Sequence, residues 1–201
     1  AADDCPFSDV SVARGYVALA YRMGLIRGVS SYGFDPKATA TREQAAAVLL
    51  RAYDRLHASV STSTVPYAPE GCVAAESITD TDGSVPVSPR APLESVYDAA
   101  CAAGEGGSVA LYVVPLKQTV RSGRVTQTQE LTQTELSALL SDSRMRTHRS
   151  EQHQSSCAYR VEEDGSVITV WYESAADLAE KTTLCRLLGV GAVCIVDQSA
   201  A

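Results

Sequence analysis

A small helical unit followed by a mixed α/β domain is the fold class this sequence predicts. Three observations carry it. Apolar residues recur at helical spacing twice within the first 57 residues, a Ser/Thr/Pro-rich stretch follows, and beyond it helix-like and strand-like patterns alternate to the end. Such alternation predicts a layer with at least two parallel strands and one hairpin.

From Val12 to Met23 one helical face carries Val12, Tyr16, Leu19, Ala20 and Met23, and Gly24 stands where a left-handed cap would end the helix. A second helix is announced by Thr41 and Gln44, a capping-box pair, with Ala45, Val48, Leu49 and Ala52 at helical spacing and an end near Leu56. The connection between them is longer than helix–helix loops usually are, which predicts packing or binding duties for the loop itself. The stretch HASVSTSTVPYAPE reads as a solvated linker, so the chain divides into residues 1–57, a linker over 58–75 and a second domain over 76–201. In that domain the patterns predict a helix from about Leu93 to Ala103, a strand at SVALYVVPL and a helix from about Gln129 to Leu140. Next come paired strands CAYRVEE and SVITVWYE about Asp164-Gly165, a helix from about Ala175 to Leu188, and a last strand GAVCIVD. The polar run RMRTHRSEQH reads as an exposed loop.

Composition narrows the function classes. A net charge of −7 argues against nucleic acid as a partner, and no apolar run reaches the length of a membrane span. The first residue is alanine, which fits either a processed N-terminus or a fragment boundary; AADD suits the mature side of a signal-peptidase cut, which suggests export from the cell. Six cysteines without any C-x-x-C pair argue against a zinc site; Cys101, Cys185 and Cys194 fall on apolar faces as small core residues, and the pairing of cysteines stays open. No Gly-x-Ser-x-Gly, phosphate loop or His-Glu-x-x-His is present, and no cofactor is expected.

The ordered series Phe7-x-Asp9-Val10, Gly24-Leu25-Ile26-x-Gly28, Phe34-x-Pro36 and Thr41-Arg42-Glu43-Gln44 resembles one S-layer homology repeat, over about Cys5 to Leu56. Gln44 replaces the usual final acidic residue of the Thr-Arg-Ala-Glu element, and Tyr32-Gly33-Phe34 stands for its Gly-Thr-Phe. The resemblance implies a bacterial protein of the cell surface, attached non-covalently to an acidic wall polysaccharide, with Arg42 as the anion-binding position and Thr41, Glu43, Gly33 and Phe34 around it. Physically, a helix entrance beside a guanidinium suits a carboxylate or phosphate; the alternative is a solvated first turn. Such repeats usually come in threes, so one repeat implies a second copy or a partner chain to complete the groove.

Beyond about Ile78 the segments SPRAPLESVYDAACAAGEGGSVALYVVPL and CAYRVEEDGSVITVWYESAADLAEKTTLCRLLGVGAVCIV resemble the last part of a glycoside hydrolase family 18 barrel of the bacterial spore and cell-wall type. That resemblance implies an N-acetylglucosamine glycan as ligand. It places Trp171 as a stacking surface or a core aromatic, and Glu173 as a cleft-lining or an exposed carboxylate. The family's catalytic Asp-x-x-Asp-x-Asp-x-Glu series is missing; Glu76, Asp80 and Asp82 are wrongly spaced for it. A complete (β/α)8 barrel takes about 250 residues, so a reduced, non-catalytic α/β domain is expected. The rival expectation is a hydrolase of chitin or peptidoglycan with Glu173 or Glu76 as its acid.

Overall fold

In a computed structural model that describes residues 4–75 and 88–197, the described residues form five helices and nine strands in two sheets. Glu76, Asp80 and Asp82 lie outside the described residues.

Helix α1 (Arg14–Arg22) and helix α2 (Arg42–His57) form the predicted N-terminal pair. Gly24 adopts φ +70° where α1 ends, and Thr41 and Gln44 close a reciprocal capping box at the start of α2. The unit has its own small core of Cys5, Phe7, Val10 and Ala18, with Val17 and Phe34 against it. The faces predicted to be buried are corrected in part. Leu19 and Met23 do pack, against the α/β core, but Val12 and Tyr16 are 80% and 81% exposed and no residue of α2 is fully buried. Two helices bury one shared stripe, so the remaining apolar positions, among them Leu49, Leu50 and Tyr53, stay in water.

The stretch expected as a solvated linker contains two strands. Strand β1 (Ser61–Val65) and strand β2 (Val73–Ala75) are the two edges of a four-stranded parallel sheet. Composition misled because β1 joins through its backbone: Ser61 to Val65 pair with Ala192 to Val196 while their side chains remain mostly exposed. Threonine and valine suit that extended conformation. The sheet runs β1-β9-β3-β2, with strands β3 (Ser108–Tyr112) and β9 (Ala192–Val196) at its centre. Helices α3 (Leu93–Ala103) and α5 (Ala175–Leu187) supply Val96, Ala99, Ala100 and Cys185 to the core over Val109, Leu111 and Val193. Cys185 and Cys194 are buried as expected; Cys101 is half-buried.

The second sheet is five-stranded and wholly antiparallel, in the order β5-β4-β8-β7-β6. Its central strands β7 (Ser155–Val161) and β8 (Val167–Tyr172) are the expected hairpin. Its other strands were not read from the sequence. Strands β4 (Leu116–Arg121) and β5 (Arg124–Glu130) turn through Ser122 and Gly123, both at positive φ, as two-residue hairpins require. Almost every side chain of β5 is exposed, which erases the alternation that marks a strand. Helix α4 (Gln133–Leu140) therefore starts later than predicted, behind a Thr132–Glu135 capping box. The polar run expected as a loop contains strand β6 (Arg146–Ser150).

Candidate functional site

Around the entrance of α2, the loop from Gly24 to Ala40 is fixed before any ligand arrives. The Asp9 carboxylate accepts amide hydrogen bonds from Asp35 at 2.7 Å and Phe34 at 2.9 Å, which hold its carboxyl below the usual range. Arg14 donates to the carbonyls of Val10 at 2.9 Å and Phe7 at 3.2 Å. Gly28 is the position where the loop crosses Phe7: a Cβ there would lie 2.3 Å from Phe7 Cε1 and 2.5 Å from the Gly33 carbonyl oxygen. The glycine, the aromatic pair Phe7–Phe34 and Asp9 thus form one clamp.

A groove of 390 Å³ opens between this loop and the first turns of α2. Phe34, Gln44, Arg27 and Arg51 line it, and Asp35 is its acidic residue. Arg51 donates to the Leu25 carbonyl at 3.1 Å, whereas exposed Arg27 has no protein partner among the described residues. Gln44 at this position contributes an amide where a glutamate would add negative charge. Its Nε2–Oε1 amide is oriented by the capping box, with Thr41 N–H donating to Oε1 at 2.9 Å.

Arg42, Thr41 and Glu43 are exposed at the helix entrance beside the groove but do not line it. Arg42 makes no hydrogen bond or ion pair among the described residues. The entrance amides are less free than expected: Gln44 N–H donates to the Thr41 hydroxyl at 3.2 Å, and the Glu43 carboxylate is held below its usual range by its own amide and by Thr41. Positive charge at this entrance therefore comes from guanidinium groups more than from the helix end. Gly33 is half-buried, its N–H donating to Ser30 Oγ at 3.0 Å, and Phe34 is the loop residue that reaches the groove wall.

Trp171 and Glu173 lie elsewhere and belong to the interior. Trp171 is 9% exposed on β8, between Leu116 and Cys157, with its ring edge-to-face with His153. The Glu173 side chain is 5% exposed and ion-paired to Lys181 at 2.6 Å. Neither offers a free face to a sugar. A central strand and helix α5 meet over them, a placement that single-strand periodicity cannot reveal.

The charged cluster under α5 was missed by sequence reasoning. Asp177, Lys181 and Cys185 are spaced four apart and all buried, so two ionisable groups stand on the helix stripe that faces the sheet. That interruption of an apolar stripe was the available signal. Burial pushes the Glu173 carboxyl up to about 7, against the pull of Lys181 and Ser155. Burial also works to raise Asp177, but hydrogen bonds from Ser174, Arg149 and Ser156 outweigh it and leave this carboxyl below its usual range. Its contribution to stability is thus present above the ordinary carboxyl value of 3.8 and is lost as pH falls through the lower folded value. Asp177→Asn is expected to flatten the acid limb of a plot of urea midpoint against pH; an unchanged limb would place acid sensitivity elsewhere.

Comparison with known proteins bears on the two parts differently. Residues 6–46 match the family model of the S-layer homology domain. No curated protein matches the chain. Among solved structures, the spore cortex-lytic enzyme SleL of Bacillus cereus is 13% identical, over 62% of this chain and 30% of that one, with a TM-score of 0.49. The putative sporulation-specific glycosylase YdhD of Bacillus subtilis is 16% identical, over 76% and 59%, at 0.48. A chitinase from Chromobacterium violaceum is 18% identical, over 64% and 43%, at 0.49. The chain thus spans between 30% and 59% of the length of these three structures. The segment that carries the glycine-hinged loop, the Asp9 clamp and the start of the capped second helix, residues 6–46, is thus similar to the S-layer homology domain.

Proposed function

We propose that this chain is a bacterial surface protein held non-covalently to an acidic cell-wall polysaccharide by its helical unit. The observation that carries the proposal is the exposed, unpaired guanidinium of Arg42 beside a groove lined by Arg27 and Arg51. A planar guanidinium with no protein acceptor is free to take a carboxylate in two parallel hydrogen bonds. Phe34 supplies an apolar wall for a sugar ring, and Thr41 and Glu43 flank the entrance with hydroxyl and carboxylate acceptors. An S-layer homology domain at residues 6–46 supports wall attachment and a location outside the cell.

A second copy of the chain completes the unit in this reading. Val12, Tyr16, Leu49, Leu50 and Tyr53 leave apolar helix surface in water that one pair of helices cannot cover. The α/β unit enters the proposal as a non-catalytic domain: of the two acids a hydrolase reading would use, Glu173 is enclosed with Lys181, and Glu76 lies outside the described residues. Secretion fits the location but rests on the same reading.

The test is co-sedimentation with purified walls, before and after removal of their acidic polysaccharide. Arg42→Ala is expected to lower retention about 10- to 150-fold, the equivalent of one charge-assisted pair at about 1.5–3 kcal/mol. Equal retention of the variant and the parent protein removes the assignment. Retention by stripped walls moves the ligand away from the acidic polymer.

A further inference from the structure

Two thiols that are far apart in sequence meet on the face of the parallel sheet opposite its helices. Val73 and Ala75 pair with Val109 and Leu111 and share their helix-facing core, so Ala74, Ala110 and Cys194 point the other way. Cys72, two residues before Ala74, shares that side, and its Sγ lies 3.6 Å from Sγ of Cys194. Strand β3 separates β2 from β9, and strands two apart in a flat sheet stand about 10 Å from each other. The two side chains nonetheless reach across β3, Cys72 from just outside its strand, to that distance. Ser63 of the opposite edge strand donates its hydroxyl to Cys194 Sγ at 3.7 Å.

We propose that Cys72 and Cys194 are a disulfide site, oxidised by a disulfide donor of the glutathione class. The sulfurs need to approach by about 1.5 Å to reach bonding distance. Cys72 is the side that moves: it lies outside the strands, follows Gly71 at φ +85°, and is tied to the adjoining turn by its N–H to the Pro69 carbonyl at 3.2 Å. Cys194 is held within the central strand and is buried. The Cys72 thiol first loses its proton and its thiolate attacks the donor disulfide, releasing one glutathione. The Cys194 thiolate then attacks Sγ of Cys72 and releases the second. Two protein thiols are oxidised, and one donor disulfide is reduced to two thiols.

The bond ties the entrance of edge strand β2 to the middle of β9, across a sequence separation of 122 residues. Strand β2 is three residues long and pairs on one side only, so it is the part of the sheet with most to gain from a tether. Burial, and then the neighbouring Cys194, keep the Cys72 thiol above its ordinary range, so oxidation quickens as pH rises. Placement outside the cytoplasm, where disulfides persist, rests on the wall-attachment reading; the chemistry of the pair does not.

The experiment treats the folded, reduced full chain with oxidised glutathione, blocks remaining thiols after denaturation, and reads intact mass and linked peptides. The expected result is a loss of two hydrogens, about 2 Da, a peptide joining Cys72 to Cys194, and a melting midpoint about 10 °C higher that dithiothreitol reverses. Cys72→Ser abolishes the mass loss and Cys101→Ser keeps it. Full recovery of all free thiols, a lasting glutathione adduct on Cys72, or a linkage that excludes either residue overturns the proposal. Each of these outcomes leaves the wall co-sedimentation result untouched.

Discussion

Lys181→Ala is expected to lower the unfolding free energy by about 3–5 kcal/mol, because it strips a buried carboxylate of its counter-charge. The Lys181 side chain is fully enclosed, and its ammonium group meets three acceptors: the Ala91 carbonyl at 2.6 Å, Ser155 Oγ at 2.7 Å and Glu173 Oε1 at 2.6 Å. An ammonium has three N–H donors, so all are used. Truncation leaves Glu173 nearly inaccessible and without its counter-charge, holding the Ser155 hydroxyl bond at 2.7 Å, together with an orphaned backbone carbonyl. Urea unfolding followed by circular dichroism measures the loss.

The pH dependence of that variant separates a charge effect from lost packing. Burial already lifts the Glu173 carboxyl to about 7, above the ordinary 4.5, and removing Lys181 lifts it further. A raised carboxyl binds its proton more tightly folded than unfolded. Its contribution is therefore fully present below the unfolded value and falls as pH rises through the folded one. The deficit of Lys181→Ala should be smaller near pH 4 than near pH 8. A deficit independent of pH would mean that packing of the lysine stem, rather than its charge, is what the core requires. The double replacement Lys181→Met with Glu173→Leu should recover much of the loss, since an apolar pair carries no desolvation penalty.

Phe7→Ala is expected to cost the helical unit about 3–5 kcal/mol and to abolish wall retention. Phe7 is 1% exposed, and its ring packs with those of Tyr21 at 5.3 Å and Phe34 at 5.4 Å. Among the described residues the unit's own core consists of Cys5, Phe7, Val10 and Ala18, of which Phe7 is the large member. Without the ring, the loop loses the surface that Gly28 approaches, and Phe34 loses its place on the groove wall. Hydrogen exchange should show α1 and α2 opening while β3 and β9 stay protected. Joint opening of helices and sheet would instead mean that the contacts of Leu19, Met23 and the Arg55–Glu105 ion pair make the chain one cooperative body.

Local signals account for what could be read without coordinates. The Thr41–Gln44 box, the Gly24 stop, the Asp164-Gly165 hairpin and helix α3 each depend on residues within one turn of one another, so they appear in the sequence as compact patterns. The S-layer homology segment was legible for the same reason, its punctuation being carried by glycine, proline and cap residues. Strands β1 and β5 were not, because their partners are distant or their side chains are exposed, and backbone pairing leaves no mark on composition. Trp171 and Glu173 were ambiguous from sequence because a strand end next to a helix cap can face either water or a packed helix.

The sequence by itself determined the helical unit, its capped second helix and the exposed arginine at that helix's entrance, since these follow from dihedral preference and short-range hydrogen bonding. Only the tertiary structure decided that Glu173 is locked to Lys181, that the supposed linker supplies both edges of the parallel sheet, and that Cys72 meets Cys194. Those three are contacts between residues brought together by sheet order and helix docking, and the free energy that selects them belongs to burial and pairing across the fold rather than to any local stretch of chain.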